Sequence, residues 1–193
     1  MERLVVGTRN GHKLAELGEI LDGFALEPLA DHVILPPEEG ETFVANALVK
    51  ARAAHAQTGA AVLADDSGIE AAALGGRPGV RSARFAGPDA TDEENLDLLL
   101  SEVSGKADRS VAYVCALAYL DAAGAELIVE ARCEGRLAEE PRGEGGFGYD
   151  PAFIPAEIGD GRTMAELSAA EKHRISHRGR AARELAAKLR ELG

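Results

Sequence analysis

RLVVGTRNGHKLAELGEIL, residues 3–21, decides the fold class at the start of the chain. Arg3 to Gly7 is an apolar run of the length of a buried strand. From about Gly11 the period changes, and Leu14, Leu17 and Leu21 recur on one face of a helix. The alternation continues: Thr42 through His55 is expected as a second helix, Ala60 to Ala64 as a second strand, and Thr91 to Val103 as a third helix opened by the capping-box pattern Thr91-Asp92-Glu93-Glu94. Val111 to Leu120 and Glu126 to Glu134 are expected to form a long hairpin around Asp121-Ala122-Ala123-Gly124. Ser168-Ala169-Ala170-Glu171 is another capping box, and Arg178 to Leu192 carries Leu185, Leu189 and Leu192 at helical spacing. The order is mixed α/β. No repeat, low-complexity tract or flexible linker interrupts it, so any two lobes must be woven from one domain spanning residues 1–193.

Composition limits the function. With 46% hydrophobic and 28% charged residues, the chain reads as a soluble globular protein with a sizeable core. The 33 acidic and 21 basic residues give a net charge of −12, which argues against nucleic-acid binding through a broad basic surface. A phosphate ester remains a suitable ligand if a few cations and a divalent metal gather locally. No apolar run approaches the roughly 20 residues of a membrane span, and Met1-Glu2-Arg3 leads into a strand rather than a signal peptide, so the cytoplasm is the expected location. Cys115 and Cys133 fit no metal-ligand spacing. They could face each other across the hairpin, but in a reducing compartment they read as small core residues.

Five segments could carry chemistry. In Ala64-Asp65-Asp66-Ser67-Gly68 two adjacent carboxylates end a short apolar segment, where they need a cation, a proton or strong donors; a solvated turn is the plain alternative. Thr8-Arg9-Asn10-Gly11-His12-Lys13 joins the first strand to the first helix, a place where backbone N–H groups favour an anion, although Asn-Gly is also a common turn. It lacks the glycine spacing and the Lys-Ser/Thr end of a P-loop. Glu38, Glu39 and Glu41 precede a helix as ordinary end charges unless they share a metal with the acidic pair, and Lys50 on that helix could reach a phosphate from the same side. Gly143 to Pro151 sets Phe147 and Tyr149 among glycines, suited to a flat ligand or to a glycine-rich hairpin with a core Phe. Lys172 to Arg178 places His177-Arg178 between two helices, where donors could read the polar edge of a base. The loop Leu74 to Arg84 adds three arginines that suit phosphates or surface carboxylates equally.

In combination the segments resemble the inosine triphosphate pyrophosphatase family, the bacterial enzymes acting on non-standard purine nucleotides. The matching signatures are Thr8-x-Asn10-x-x-Lys13, Ala64-Asp65-Asp66-Ser67-Gly68, Leu74-Gly75-Gly76-x-Pro78-Gly79-Val80, Gly145 to Pro151 and Ser176-His177-Arg178-Gly179, in order along nearly the whole chain. The resemblance implies a two-lobed α/β fold with an elongated central mixed sheet flanked by helices, an active-site cleft between the lobes, and a homodimer. It implies hydrolysis of dITP, ITP or XTP to the monophosphate and pyrophosphate with Mg2+. By the same resemblance Thr8, Arg9, Asn10, Gly11, His12 and Lys13 would bind the polyphosphate and Ser67 would touch substrate, with Lys50 added to the substrate-binding candidates by its position on the helix after the acidic run. Asp66 would be the proton acceptor and a metal ligand, with Glu38 as the second ligand and Glu39 its alternative. Phe147, Gly148, Tyr149 and Asp150 would hold the nucleoside, Phe147 stacking on the base, while Lys172, His177 and Arg178 would read the purine's 6-oxo edge. Donors facing a 6-oxo group are left unpaired against a 6-amino group, which disfavours adenine.

One position departs from the family pattern: Ala45 stands before Asn46-Ala47 where bacterial members commonly carry Glu. The missing residue would complete a capping box with Thr42, so a structural cost is expected rather than a metal-site defect. Two other readings differ in substrate or class. A Maf-like pyrophosphatase would prefer modified or pyrimidine triphosphates, and a nucleotide sensor would bind without hydrolysis. The sensor is disfavoured because Lys13 and Asp66 are both present.

Overall fold

A computed structural model of the protein describes residues 3–192; the expected entry from Met1 and Glu2 into the first strand lies outside the described residues. Its elements are β1 (Arg3–Val6), α1 (Gly11–Ile20), β2 (Ala25–Pro28), α2 (Phe43–Thr58), β3 (Val62–Ala71), α3 (Asp92–Glu102), β4 (Ser110–Leu120), β5 (Glu126–Leu137), β6 (Phe153–Pro155), α4 (Ala169–Ile175) and α5 (His177–Leu192), with short 3-10 turns between them. The six strands form one mixed sheet in the order β2-β1-β3-β4-β5-β6. β1 runs parallel to both β2 and β3, while β5 and β6 are antiparallel. The mixed α/β class expected from residues 3–21 is borne out. Among the described residues no helix is long and apolar enough to cross a membrane.

The chain divides into two compact units, each assembled from separated stretches. The first comprises residues 1–66, 115–131 and 178–193. Its core joins Leu4 and Val6 of β1, Leu17 of α1, Leu63 of β3, Leu117 of β4, Val129 of β5 and Leu185 of α5. The second comprises residues 67–114 and 132–177, with Ile69, Leu96, Leu99, Val111, Tyr113, Leu137, Phe153, Met164 and Ile175 packed together. Burying one such aliphatic side chain contributes about 1.5–3 kcal/mol. Both cysteines are free and buried, Cys115 in the first core and Cys133 in the second, as expected of small core residues.

β4 is buried at every position after Ser110, which is why its sequence reads as an unbroken apolar run. β5 alternates, with Val129, Cys133 and Leu137 buried and Glu130, Glu134 and Arg136 exposed. The turn between them is held by Asp121, whose carboxylate accepts from the N–H groups of Ala123 and Ala125, each at 2.8 Å.

The expected capping boxes are present: Thr91 with Glu94 on α3, and Ser168 with Glu171 on α4. On α2 only half of one exists, since Thr42 accepts from Ala45 N at 3.1 Å but exposed Ala45 returns nothing. Ala45→Glu should complete it and stabilise the protein by about 0.5–1 kcal/mol. Thermal unfolding should show a Tm rise of about 1–4 °C with the metal requirement unchanged; a large drop in that requirement would instead make the missing Glu part of the metal site.

Candidate active site

β3 differs most from its expected form. The sequence suggested a strand ending at Ala64, with Asp65 and Asp66 at its edge; the strand instead continues to Ala71 and carries both carboxylates inside it. Asp65 is fully buried and Asp66 is 4% exposed, so neither belongs to a solvated turn. Two adjacent carboxylates survive there because four other segments bring partners to them.

Asp65 is enclosed by cations. Lys13 Nζ lies 2.5 Å from its Oδ1, and the Nε and Nη2 atoms of Arg178 each donate to Oδ2 at 3.3 Å. The Cys115 thiol points at the same Oδ2 from 3.6 Å. Burial, the largest influence on Asp65, pushes its pKa up, but Lys13, Arg178 and Lys50 outweigh it and hold the carboxyl well below the usual carboxylate range. The Cys115 thiol is raised by burial and by Asp65, so it stays protonated. Arg178 is 1% exposed, and its Nη1 reaches Glu16 of α1 at 2.5 Å.

Asp66 has a different environment. Asn46 Nδ2 donates to its Oδ2 at 2.9 Å, and Lys50 Nζ lies 3.7 Å from Oδ1. Burial raises Asp66 to about 6, with Glu38 adding to the rise and Lys50, Lys13 and Asn46 opposing it. The two neighbours are thus driven apart, one held ionised and the other poised near neutrality, which is the pattern of a permanent counter-ion beside a proton acceptor.

α2 supplies both partners of Asp66, because Phe43, Asn46, Ala47, Lys50, Ala51 and Ala54 all lie on its buried face. Asn46 also ties in the acidic loop: its Oδ1 accepts from Gly40 N at 2.8 Å. A Cβ at Gly40 would fall 2.6 Å from that oxygen, so glycine is required for the approach. Lys50 contacts Glu38 directly as well as Asp66; burial pushes its pKa down, but Asp65, Asp66 and Glu38 together outweigh it and leave it raised. Glu39 is exposed.

The loop after β1 is built by local hydrogen bonds. Asn10 caps α1, its Oδ1 accepting from His12 N at 2.9 Å and Lys13 N at 3.2 Å, and Thr8 Oγ1 accepts from Asn10 N at 3.1 Å. Gly11 and His12 are exposed at the start of the helix. Arg9 takes a role the sequence did not suggest: its guanidinium donates to the carbonyls of Leu29, Ala30, Asp31 and Val33 at 2.8–3.3 Å, stapling the segment after β2.

The second unit gathers another cluster. Asp150 Oδ2 accepts from Lys172 Nζ at 2.7 Å and from Phe147 N at 3.0 Å, while Oδ1 accepts from the Tyr113 hydroxyl at 3.1 Å. A side chain at Gly146, where φ is +72°, would collide with the Asp150 carboxylate. Lys172 Nζ also stands 5.0 Å from the centroid of the partly exposed Phe147 ring. His177 stacks on Tyr113 at 4.5 Å and 14°. Gly148 N donates to Asp92 at 2.8 Å, and the Tyr149 hydroxyl donates to Ser82 O at 2.7 Å. Ser67 is partly buried on β3.

Lys13, Lys50, Glu38, Asp66 and Arg178 therefore meet in the first unit, and Phe147, Asp150, Lys172 and His177 in the second. Sequence reading missed Asn46, Glu16 and Tyr113. Asn46 had a usable signal, a polar residue at an inward helical position, whereas Glu16 and Tyr113 gain meaning only from distant partners. Among the described residues no three His, Cys, Asp or Glu side chains form a metal cage. Two carboxylates converging on one cation nevertheless suit an ion such as magnesium that also uses water and substrate phosphates.

Comparison with known proteins agrees with the signatures. A dITP/XTP pyrophosphatase of Mycobacterium tuberculosis is 50% identical over 199 aligned positions, covering 98% of this chain and 96% of the relative. One of Cutibacterium acnes, with the same description, is 46% identical, covering 96% and 95%. Among solved structures, a HAM1 protein of Coxiella burnetii superposes with a TM-score of 0.89 at 43% identity, covering 99% of this chain and all of the other. The Staphylococcus aureus Ham1 protein gives the same TM-score at 33% identity and full coverage of both chains. The Ham1 family profile itself matches residues 4–188, so by sequence and by fold the chain belongs to the Ham1 family.

Proposed function

We propose that this protein is a nucleoside-triphosphate pyrophosphatase that hydrolyses dITP, ITP and XTP to the monophosphate and pyrophosphate, clearing deaminated purines from the nucleotide pool. The activity is supported by the full-length similarity to dITP/XTP pyrophosphatases. For the site, the observation that carries the reading is the contrast in surroundings: Asp65 is enclosed by Lys13 and Arg178, whereas the buried Asp66 sits against Asn46 and Lys50, with Lys50 also on Glu38.

In this reading the polyphosphate lies over the Thr8–Lys13 loop, where Lys13 and the start of α1 offset its charge. Glu38 and Asp66 would hold Mg2+, which when bound supplies charge neutralisation and a polarised water. Asp66 takes the proton as the water oxygen bonds to the α-phosphorus; the bond to the α–β bridging oxygen breaks and pyrophosphate leaves. Asn46 fixes the carboxylate plane during that transfer. In the second unit Phe147 stacks on the base, while Lys172 and His177, held by Asp150 and Tyr113, face its 6-oxo edge. Ser67 completes the proposed substrate set and Arg178 serves it indirectly, by holding Asp65; residues 1–193 are taken as a single pyrophosphatase domain. A homodimer in the cytoplasm is proposed on the family resemblance alone.

Magnesium-dependent pyrophosphate release from dITP, XTP, ATP, GTP and a pyrimidine triphosphate tests the assignment. Turnover of dITP and XTP should exceed that of ATP by about 10²-fold or more. Preference for the pyrimidine would favour a Maf-like enzyme, and tight dITP binding without release would favour a sensor.

A further inference from the structure

The Glu38–Asp66 pair is already bridged by a cation of the chain itself. Lys50 is 5% exposed, contacts Glu38 directly and sits 3.7 Å from Asp66 Oδ1. Asn46 occupies the other oxygen of Asp66, so the side facing Lys50 is the one left for a further ligand. One ammonium shared by the buried Asp66 carboxylate and the half-buried Glu38 carboxylate is the arrangement expected where a second positive charge cannot be added without loss: like charges a few ångströms apart repel strongly in a site shielded from solvent on most sides. A neutral partner would leave the two acids uncompensated, so the ammonium also keeps them in place before any metal arrives.

We infer that Lys50 is a resident counter-cation that holds the position of the divalent ion, so that metal loading displaces its ammonium from Glu38 and Asp66 and an incoming polyphosphate provides the anion that receives it. The inference rests on Glu38 and Asp66 being the metal ligands. It gives Lys50 two successive partners, and it makes metal and nucleotide binding mutually reinforcing: either alone must work against the Lys50 contacts, and together they satisfy every charge.

The test is Mn2+ binding without nucleotide, read from loss of the free-ion electron paramagnetic resonance signal, for wild type, Lys50→Met and Lys50→Gln. Gln keeps hydrogen-bonding capacity and decides the matter if the Met variant does not fold. Lys13→Met is the control, since it removes an equal charge beside Asp65 without touching Glu38. Both Lys50 variants should bind Mn2+ at least about 10-fold more tightly than wild type, with a clearly smaller gain in the control. Inorganic pyrophosphate should tighten Mn2+ binding to wild type more than to the Lys50 variants. Affinity unchanged by Lys50 substitution, or raised no more than by Lys13→Met, overturns the inference while leaving the metal site intact. Absence of Mn2+ binding in every protein, with and without pyrophosphate, overturns the metal site and the inference together.

Discussion

Asp66→Asn should lower kcat for dITP by about 10³-fold or more while making the metal-free protein more stable at neutral pH. Both effects come from the same burial. Asp66 titrates near 6 in the folded chain against 3.8 as its ordinary value, so between those values the folded state binds the proton more tightly than the unfolded state does. A raised carboxyl therefore contributes its full stability below 3.8 and loses it as the pH climbs through 6, leaving an ionised, poorly solvated group. At about pH 7.5 that cost is of the order of 2–3 kcal/mol. Asn has the shape of the carboxyl without the charge. In EDTA the variant should unfold at a higher temperature than wild type at about pH 7.5, and the advantage should vanish toward pH 4. Mg2+ should raise the Tm of wild type and not that of the variant. Activity within tenfold of wild type would remove Asp66 as the base; a variant less stable than wild type at neutral pH would show that the charge is held favourably.

The same two aspartates explain where sequence reading of the fold succeeded and where it stopped. β4 was legible because ten consecutive buried residues leave an unmistakable apolar run, and its hairpin because Asp121 and Gly124 are turn residues with local work to do. The capping boxes are local as well. Asp65-Asp66-Ser67-Gly68 reads as a turn wherever only neighbours in sequence are considered, which puts the expected end of β3 at Ala64. The strand continues because Lys13, Asn46, Lys50 and Arg178 arrive from elsewhere and meet its charges. β2 and β6, of four and three residues and each ending in proline, carry too few positions for a period of two to register.

Within the candidate site, residue types were legible and partnerships were not. Arg9 looked like a phosphate ligand because it lies in the Thr8–Lys13 loop, yet its planar fork is occupied by four carbonyls of the 29–33 segment. Geometry of that kind leaves no trace in the spacing of residues. Tyr113 reads as one more apolar position in a buried strand, although its hydroxyl orients Asp150 and its ring carries His177.

Arg178 offers the second large effect and separates two roles. Its side chain is 2% exposed, and its guanidinium meets two carboxylates, Nε and Nη2 contacting Asp65 and Nη1 contacting Glu16. Removing one member of a buried ion pair leaves the other charge uncompensated, so Arg178→Met should destabilise the protein by about 3–5 kcal/mol, seen as a lower midpoint in urea unfolding. Adding Asp65→Asn should recover part of the loss, because the orphaned charge goes with it; the double-mutant cycle measures the coupling. The pH dependence has the opposite sign to that of Asp66. Asp65 is depressed below its ordinary value of 3.8, so its contribution is present above that value and is lost as the pH falls further, and the gap between wild type and Arg178→Met should narrow in that acid range. If Arg178 instead served chiefly to read the purine, Arg178→Met would keep its stability within about 1 kcal/mol and lose its preference for dITP over ATP. With its guanidinium enclosed by Asp65 and Glu16, the expected result is the reverse: a large loss of stability, with the order of preference among the remaining folded molecules retained through Lys172 and His177.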